Sequence, residues 1–217
     1  LYITSNLVIY FFKYDFSPSV WQSNYTLFNI FGGAFQILAM MILFPVLRKF
    51  MNTLKIFYVS FTMAFVGYLT LLGITFTGSS NVYLLLIPAF FIMSAMGMLN
   101  VIVTVFLANT VDYGEYKNNR RDESVIFSMQ TFVVKLSSGI AALAASVVIQ
   151  VFNIKKDETG EILQAIDRTS RMGLRMCMTV IPIIVLIVGL IVFRKNYILT
   201  DAKLAQINDE LKSRKED

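Results

Sequence analysis

One basic residue, Lys135, lies in the middle of a long apolar stretch, where a charged group has the strongest chemical consequences. A lysine at the centre of a membrane helix costs about 2.5–3.5 kcal/mol on insertion scales, so it is retained where it serves a site or meets a partner. Steps of three and four residues from Lys135 reach Ser128, Thr131 and Ser138, which gives one helical face a polar stripe. We predict that this face lines a cavity or contacts partner helices. A lysine that only snorkels or pairs structurally is the alternative.

A second group of ionisable residues lies between two apolar stretches. Asp112 and Glu115 are three residues apart and share a face at the end of a helix, and Arg121 and Glu123 follow shortly afterwards. A guanidinium beside carboxylates forms charge-assisted pairs that can break and reform as helices move. The plain alternative is that 109–123 is only a solvated, charged loop.

Small and polar residues also share a face of the preceding helix. Ser94, Gly97 and Thr104 follow helical spacing, and Asn100 lies beside them. Small residues at this spacing favour close helix packing. A role for Asn100 and Thr104 in lining a solute site is the alternative.

The residue types also exclude several kinds of chemistry. The chain has no histidine, and Cys177 is its single cysteine, which excludes an internal disulfide and removes the commonest metal ligand. We therefore expect no catalytic residues, no metal site and no cofactor. The net charge of +5 does not indicate nucleic acid, because the basic residues flank apolar stretches.

The elements that position these residues are membrane helices. Apolar residues make up 56% of the 217, and no Asp, Glu, Lys or Arg occurs between Lys55 and Asp112. A membrane helix needs about 20 apolar residues, so the sequence predicts an all-α membrane protein. The first span is too short to cross a bilayer, and we interpret it as a truncated helix at the start of a fragment. The predicted spans are 1–12, 24–47, 56–77, 81–108, 124–152 and 172–193.

Domain organisation and orientation follow from the charges. Residues 1–200 form one transmembrane domain, with a tight turn at 77–81, and 201–217 read as a short amphipathic tail that is only a solvated flank. Most Lys and Arg outside the spans collect on one side, which indicates the cytoplasmic side. Both ends of the chain are then cytoplasmic. The residues assigned to that side are Arg48, Lys49, Lys55, Lys117, Arg120, Arg121, Arg194, Lys195, Lys203, Lys212, Arg214 and Lys215.

A motif over 112–135 resembles the signature of the glycoside-pentoside-hexuronide:cation symporters, a branch of the major facilitator superfamily. The resemblance implies the C-terminal six-helix bundle of a sugar:cation symporter in a bacterial cytoplasmic membrane. Its partners would be a sugar or glycoside, a coupling cation (Na⁺, H⁺ or Li⁺), the lipid bilayer and the missing N-terminal half of the same polypeptide. The matching residues are Asp112-Tyr113-Gly114-Glu115-Tyr116-Lys117, Arg121-x-Glu123-Ser124, Phe127-Ser128, Gln130-Thr131-Phe132 and Lys135.

The resemblance also implies roles for individual residues. Lys135 would lie beside the sugar and cation sites, with Thr131 near the cation and Gln130 and Asn100 near the sugar. Ser128 shares the Lys135 face. The cytoplasmic gate would consist of Asp112, Glu115, Arg121 and Glu123. Many members of the family have Asp where this chain has Asn109, so one salt bridge of the gate is absent or is replaced by a neutral hydrogen bond.

Three other interpretations remain open. The first is a non-transporting membrane sensor or scaffold on the same fold, which fold alone never excludes. The second is a membrane-integral enzyme, which would need two catalytic groups converging at one depth. The third is a complete half-carrier that dimerises.

Overall fold

The computed structural model describes residues 2–77, 81–152 and 167–216, which form helices and short turns and contain no β-strand. Among these residues, five helices are long and apolar enough to cross a membrane. The all-α membrane fold predicted from the sequence is therefore confirmed. The elements are α1 (Tyr2–Phe11), a π-helical turn (Phe12–Phe16), α2 (Trp21–Leu38), a second π-helical turn (Ala39–Leu43), α3 (Phe44–Phe50), α4 (Thr53–Thr77), α5 (Val82–Asn118), α6 (Glu123–Val151), α7 (Arg168–Asn196) and α8 (Asp201–Glu216).

Trp21–Phe50 is one continuous helical span that widens into its π-helical turn just before Pro45. Proline has no N–H to donate to the carbonyl four residues earlier, and its ring crowds that carbonyl. A π-helical turn accommodates such a misfit without ending the helix. Pro88 and Pro182 also lie inside helices, α5 and α7 respectively.

The helices lie over the predicted spans, and two of the differences at their ends matter for the site. The first helical segment continues to Phe16 rather than ending at 12, and α5 continues to Asn118 rather than ending at 108. The segment 109–123 is therefore mostly helix, and the solvated loop that composition allowed is wrong. Asn119 ends α5 in the left-handed conformation (φ 52°), which asparagine tolerates better than most residues.

Two predicted features fall partly or wholly outside the described residues. The tight turn at 77–81 is described only at its ends, where the Asn81 side-chain oxygen accepts a hydrogen bond from the Tyr83 N–H at 3.0 Å and caps α5. The segment between the predicted spans 124–152 and 172–193 lies mostly outside the described residues, which resume at Asp167.

Helices α4 and α5 form the centre of the bundle, with α2 packed on α5 and α7 packed on α4. The closest approach of α2 to α5 is at Gly97, where an added Cβ would collide with the Gln36 carbonyl oxygen. Ser94 is also buried, whereas Asn100 and Thr104 are exposed. The small-residue face therefore divides: its first half packs against α2, and its second half is open.

The tail is not a solvated flank, so this part of the sequence prediction is wrong. Residues 201–216 form α8, which packs against α5. Leu204, Ile207 and Leu211 recur at helical spacing, and Ile207 is only 1% exposed. These three residues form the apolar side of a helix that is otherwise polar, and we call them the Ile207 seam.

Candidate functional site

The predicted gate residues meet at one guanidinium. Arg121 Nη1 donates to Glu115 Oε2 at 2.8 Å and to Asp112 Oδ1 at 3.1 Å, and its Nε donates to Glu123 Oε2 at 3.3 Å. The first two carboxylates belong to the last turns of α5, and the third belongs to the first turn of α6. We call these four residues the Arg121 cluster. It joins two helices across a turn of only four residues, Asn119 to Asp122.

Local helix electrostatics explain why a cation belongs there. Asp112 and Glu115 lie near the C-terminal end of α5, where the helix dipole disfavours negative charge, whereas Glu123 lies in the first turn of α6, where the dipole favours it. Arg121 compensates the two unfavourable charges. The three carboxylates in turn raise the pKa of Arg121 above its usual range, with the hydrogen bond to Glu115 contributing most.

The Arg121 cluster is accessible to solvent. The Arg121 side chain is 48% exposed, and Glu123 is 56% exposed. Exposed ion pairs contribute little net stability, because water solvates the separated charges well. Such a cluster can therefore form in one conformation and separate in another without a large barrier.

Helix α8 contacts the same end of α5, on a face next to the one that carries Asp112 and Glu115. Arg214 Nη1 donates to Asn119 Oδ1 at 2.6 Å and to the Tyr116 carbonyl at 3.2 Å, and its guanidinium lies 5.4 Å from the centre of the Tyr116 ring. Lys203 Nζ lies 5.4 Å from the centre of the Tyr113 ring. Both tyrosines belong to the Asp112–Lys117 motif, so α8 docks on the motif itself through cation–π contacts. The sequence analysis did not predict this docking. The helical spacing of the apolar residues in the tail could have indicated it.

Asn109 lies outside the Arg121 cluster and forms a hydrogen bond with the Tyr197 side chain. Burial raises the pKa of Tyr197, the Asp201 carboxylate raises it further, and the hydrogen bond with Asn109 lowers it. Asn52 Nδ2 also donates to Asp201 Oδ2 at 2.8 Å. The segment that joins α7 to α8 is therefore tied to both α5 and the start of α4.

The polar face of α6 is open. Residues 131–140 are all exposed, including Thr131 and Lys135, and Ser128 is exposed as well; Gln130 is half-buried. Ser128 and Thr131 donate to backbone carbonyls of their own helix, at 2.9 and 3.1 Å. Within the described ranges, Lys135 forms no side-chain hydrogen bond and no ion pair. The buried side of α6 consists of Ala141, Ala145 and Val148.

A buried ion pair lies at the opposite end of the bundle, and sequence analysis missed it. Arg175 of α7 donates from Nε to Asp15 Oδ2 at 2.6 Å and from Nη2 to Asp15 Oδ1 at 2.8 Å, and its Nη1 donates to the Thr75 carbonyl of α4. The Asp15 side chain is fully buried. The pair lies near the ends of its helices, so it does not bear on the prediction that Lys135 is the charge in the middle of a span. Asp15 is the sole acidic residue before Asp112 in the sequence, and this isolation could have indicated that it has a partner inside the bundle.

Comparisons with known proteins agree with this architecture. A family model described as MFS/sugar transport protein matches residues 1–201. The chain is 25% identical to a lactose permease of Lactobacillus delbrueckii subsp. bulgaricus over 95% of the chain, and 28% identical to a raffinose carrier protein of Pediococcus pentosaceus over 96%. It is 27% identical to an isoprimeverose transporter of Lactiplantibacillus pentosus over 67% of the chain. The chain spans 31% of the length of each of the first two relatives and 29% of the third.

Proposed function

The chain belongs to the MFS/sugar transport protein family, and from this premise we propose that it forms part of a secondary active transporter that couples sugar movement to a cation gradient. Such carriers hold their solute near the bilayer midplane between two helical bundles that rock against each other. The chain would supply one bundle, and further helices of the same polypeptide would supply the other. The membrane would be the bacterial cytoplasmic membrane, with both ends of this chain on the cytoplasmic side.

The open polar face of α6 carries the proposal. Lys135, Thr131 and Ser128 lie on a helix of membrane-spanning length, and the described residues leave this face uncovered. A lysine facing hydrocarbon would be unfavourable, so the face belongs against water, solute or polar groups of another bundle. In this proposal Lys135 sets the geometry of a shared sugar and cation site, and Gln130 and Asn100 contribute polar contacts to the sugar.

The names of the relatives suggest the substrate class. The relatives are named for lactose, raffinose and isoprimeverose, each of which contains a glycosidic bond. We extend this to a small glycoside as the transported sugar. The coupling cation is Na⁺, H⁺ or Li⁺, and its acidic ligands would come from the other bundle, because Lys135 is basic and its face has no carboxylate.

In this proposal, the Arg121 cluster is the contact that changes between conformations of the carrier. Three carboxylates converge on one solvent-accessible guanidinium at a helix–helix turn. Pairs of this kind form in one state of an alternating-access cycle and separate in the other. The cluster would therefore close the cytoplasmic gate. A sensor or scaffold on the same fold would have no need of an unpaired lysine at mid-span.

The decisive experiment replaces the charge on the α6 face in the full-length carrier. Lys135→Ala is expected to insert normally, because removing a costly charge does not hinder insertion, but to lose cation-driven sugar accumulation. Downhill sugar flux would survive in part. Radiolabelled sugar uptake, with and without the cation gradient, is the measurement. Val133→Ala, on the opposite side of the same helix, is the matched control and should accumulate sugar normally. Accumulation by Lys135→Ala that equals the parent, with the same cation dependence, would refute the proposed site.

A further inference from the structure

A groove runs between α4 and α7 on the outside of the bundle, away from the Arg121 cluster and the α6 polar face. Its volume is about 250 Å³. Its walls are almost entirely apolar or aromatic, and the hydroxyl of Thr62 is already bonded to the Tyr58 carbonyl at 2.9 Å. The lining residues are Tyr58, Phe61, Thr62, Phe65, Leu186, Ile187 and Leu190.

The groove and the basic residue before it on α4 together extend over about one leaflet of a bilayer. Both of its helices are membrane-spanning candidates. From Lys55, at the first turn of α4, to Phe65 is ten residues, or about 15 Å at 1.5 Å per residue. This is half of a hydrocarbon core of about 30 Å, which is the extent of one leaflet. An acyl chain lying along the groove would therefore end near its inner limit.

Two basic residues lie about one helical turn beyond the lining residues, one on each of the two helices that form the groove. Lys55 precedes Tyr58 by three residues and Thr62 by seven, and Arg194 follows Leu190 by four, so each shares the groove face of its helix. Both side chains are exposed. Within the part of the chain that the structure describes, neither has an ion-pair partner.

We propose that the groove binds an acyl chain of an anionic phospholipid, with the lipid phosphate held between Lys55 and Arg194. Charge complementarity selects the headgroup, because basic positions between membrane helices at the interface bind anionic headgroups. The volume also fits. An apolar cavity of about 150 Å³ holds a benzene molecule, so this larger groove accommodates a substantial part of one chain. The alternative occupant is another part of the same carrier.

The charge part of the proposal is tested on the purified full-length carrier in detergent. Native mass spectrometry would measure binding of phosphatidylglycerol and of phosphatidylcholine with the same acyl chains. Lys55→Gln with Arg194→Gln should weaken phosphatidylglycerol binding about tenfold and leave phosphatidylcholine binding unchanged. The control is Lys117→Gln with Lys212→Gln, which removes equal charge from exposed positions away from the groove and should leave both affinities unchanged.

The groove itself is tested by filling it. Thr62→Phe should weaken binding of both lipids, whereas Thr70→Phe should not, although Thr70 makes the same bond to the carbonyl four residues earlier on α4. Equal affinity of the parent for the two lipids, or equal effects of the Gln variants and their control, would overturn the proposal. The proposal would also be overturned if the parent retained no lipid and the Thr62→Phe variant were less stable than the parent. That result would indicate that another part of the carrier fills the groove.

Discussion

Two arginines in this chain hold carboxylates in opposite ways. Arg121 is half-exposed and shared among three acceptors, whereas Arg175 is paired in a two-pronged contact with an Asp15 side chain that has no exposure. Breaking a buried pair leaves a desolvated charge without compensation, and this is strongly unfavourable. An exposed cluster separates into water. The Arg121 cluster is therefore suited to a reversible contact, and the Asp15–Arg175 pair to a permanent one that holds α1, α4 and α7 together.

Replacement of Arg121 tests the gating role. In the full-length carrier, Arg121→Ala should lower transport at saturating sugar several-fold while leaving equilibrium sugar binding nearly unchanged, because the lost pairs exist in one conformation only. Arg120→Ala is the control, since Arg120 pairs only with its neighbour Asp122 at 2.8 Å and its side chain is 78% exposed. Paired flux and equilibrium-binding assays separate the two effects. A fall of about tenfold in affinity, with unchanged maximal transport, would assign Arg121 to binding instead.

At the scale of elements, the C-terminal end of α5 makes contacts through two of its faces. Asn109, Tyr113 and Tyr116 follow helical spacing and meet α8 and the segment before it, while Asp112 and Glu115 face Arg121. A movement of α5 that opened the Arg121 cluster would also disturb the docking of α8. The tail is therefore connected through α5 to the Arg121 cluster, although the described residues of the tail contribute no side chain to it.

Docking of α8 can be weakened at one side chain. Arg214→Ala removes the hydrogen bonds to Asn119 and to the Tyr116 carbonyl, and we expect a loss of about 1 kcal/mol in the local stability of α8. Amide hydrogen exchange in 201–214 should then quicken about fivefold, while exchange in α4 stays unchanged. Lys212→Ala, at an exposed position on the same helix, should have no such effect. Exchange in α8 that did not change in Arg214→Ala would show that the Ile207 seam alone holds the helix.

At the scale of the whole molecule, the helix ends divide into two sets. The ends of α3, α5 and α7 carry basic residues, including Lys49, Lys117 and Arg194, and the opposite end carries the buried Asp15–Arg175 pair. In the proposed orientation, the excess of basic residues lies on the cytoplasmic side of the membrane. The same orientation would place the Arg121 cluster and α8 on the cytoplasmic side.

Site-directed labelling checks this orientation. In a Cys177→Ser background of the full-length carrier, a cysteine replacing exposed Asn118 should react with an impermeant maleimide only from the cytoplasmic side. A cysteine replacing Val20, which is 55% exposed at the opposite end, should react only from outside. Right-side-out and inside-out vesicles provide the two conditions. Labelling of Asn118→Cys from outside would reverse the topology and remove the gate from the cytoplasmic side.

Sequence alone determined the features that depend on neighbours along the chain. The apolar runs predicted membrane helices, because a helix of about 20 apolar residues crosses the hydrocarbon core and satisfies its backbone hydrogen bonds within one segment. The meeting of Asp112, Glu115 and Arg121 was also predictable, because the first two share a helical face and a short turn brings the arginine back to them. The position of the helix end was not predicted, because the apolar span ends at 108, whereas α5 continues through the charged residues to Asn118.

Only the tertiary structure decided which distant faces meet. Asp15 and Arg175 are 160 positions apart, and Arg214 and Asn119 are 95 apart. Helical periodicity tells which residues share a face of one helix, but it holds no information about which other helix that face will touch. For the same reason, the buried pair was not predicted, and a tail predicted to be solvated is a docked helix. Each of these outcomes depends on the arrangement of elements that are far apart in the chain.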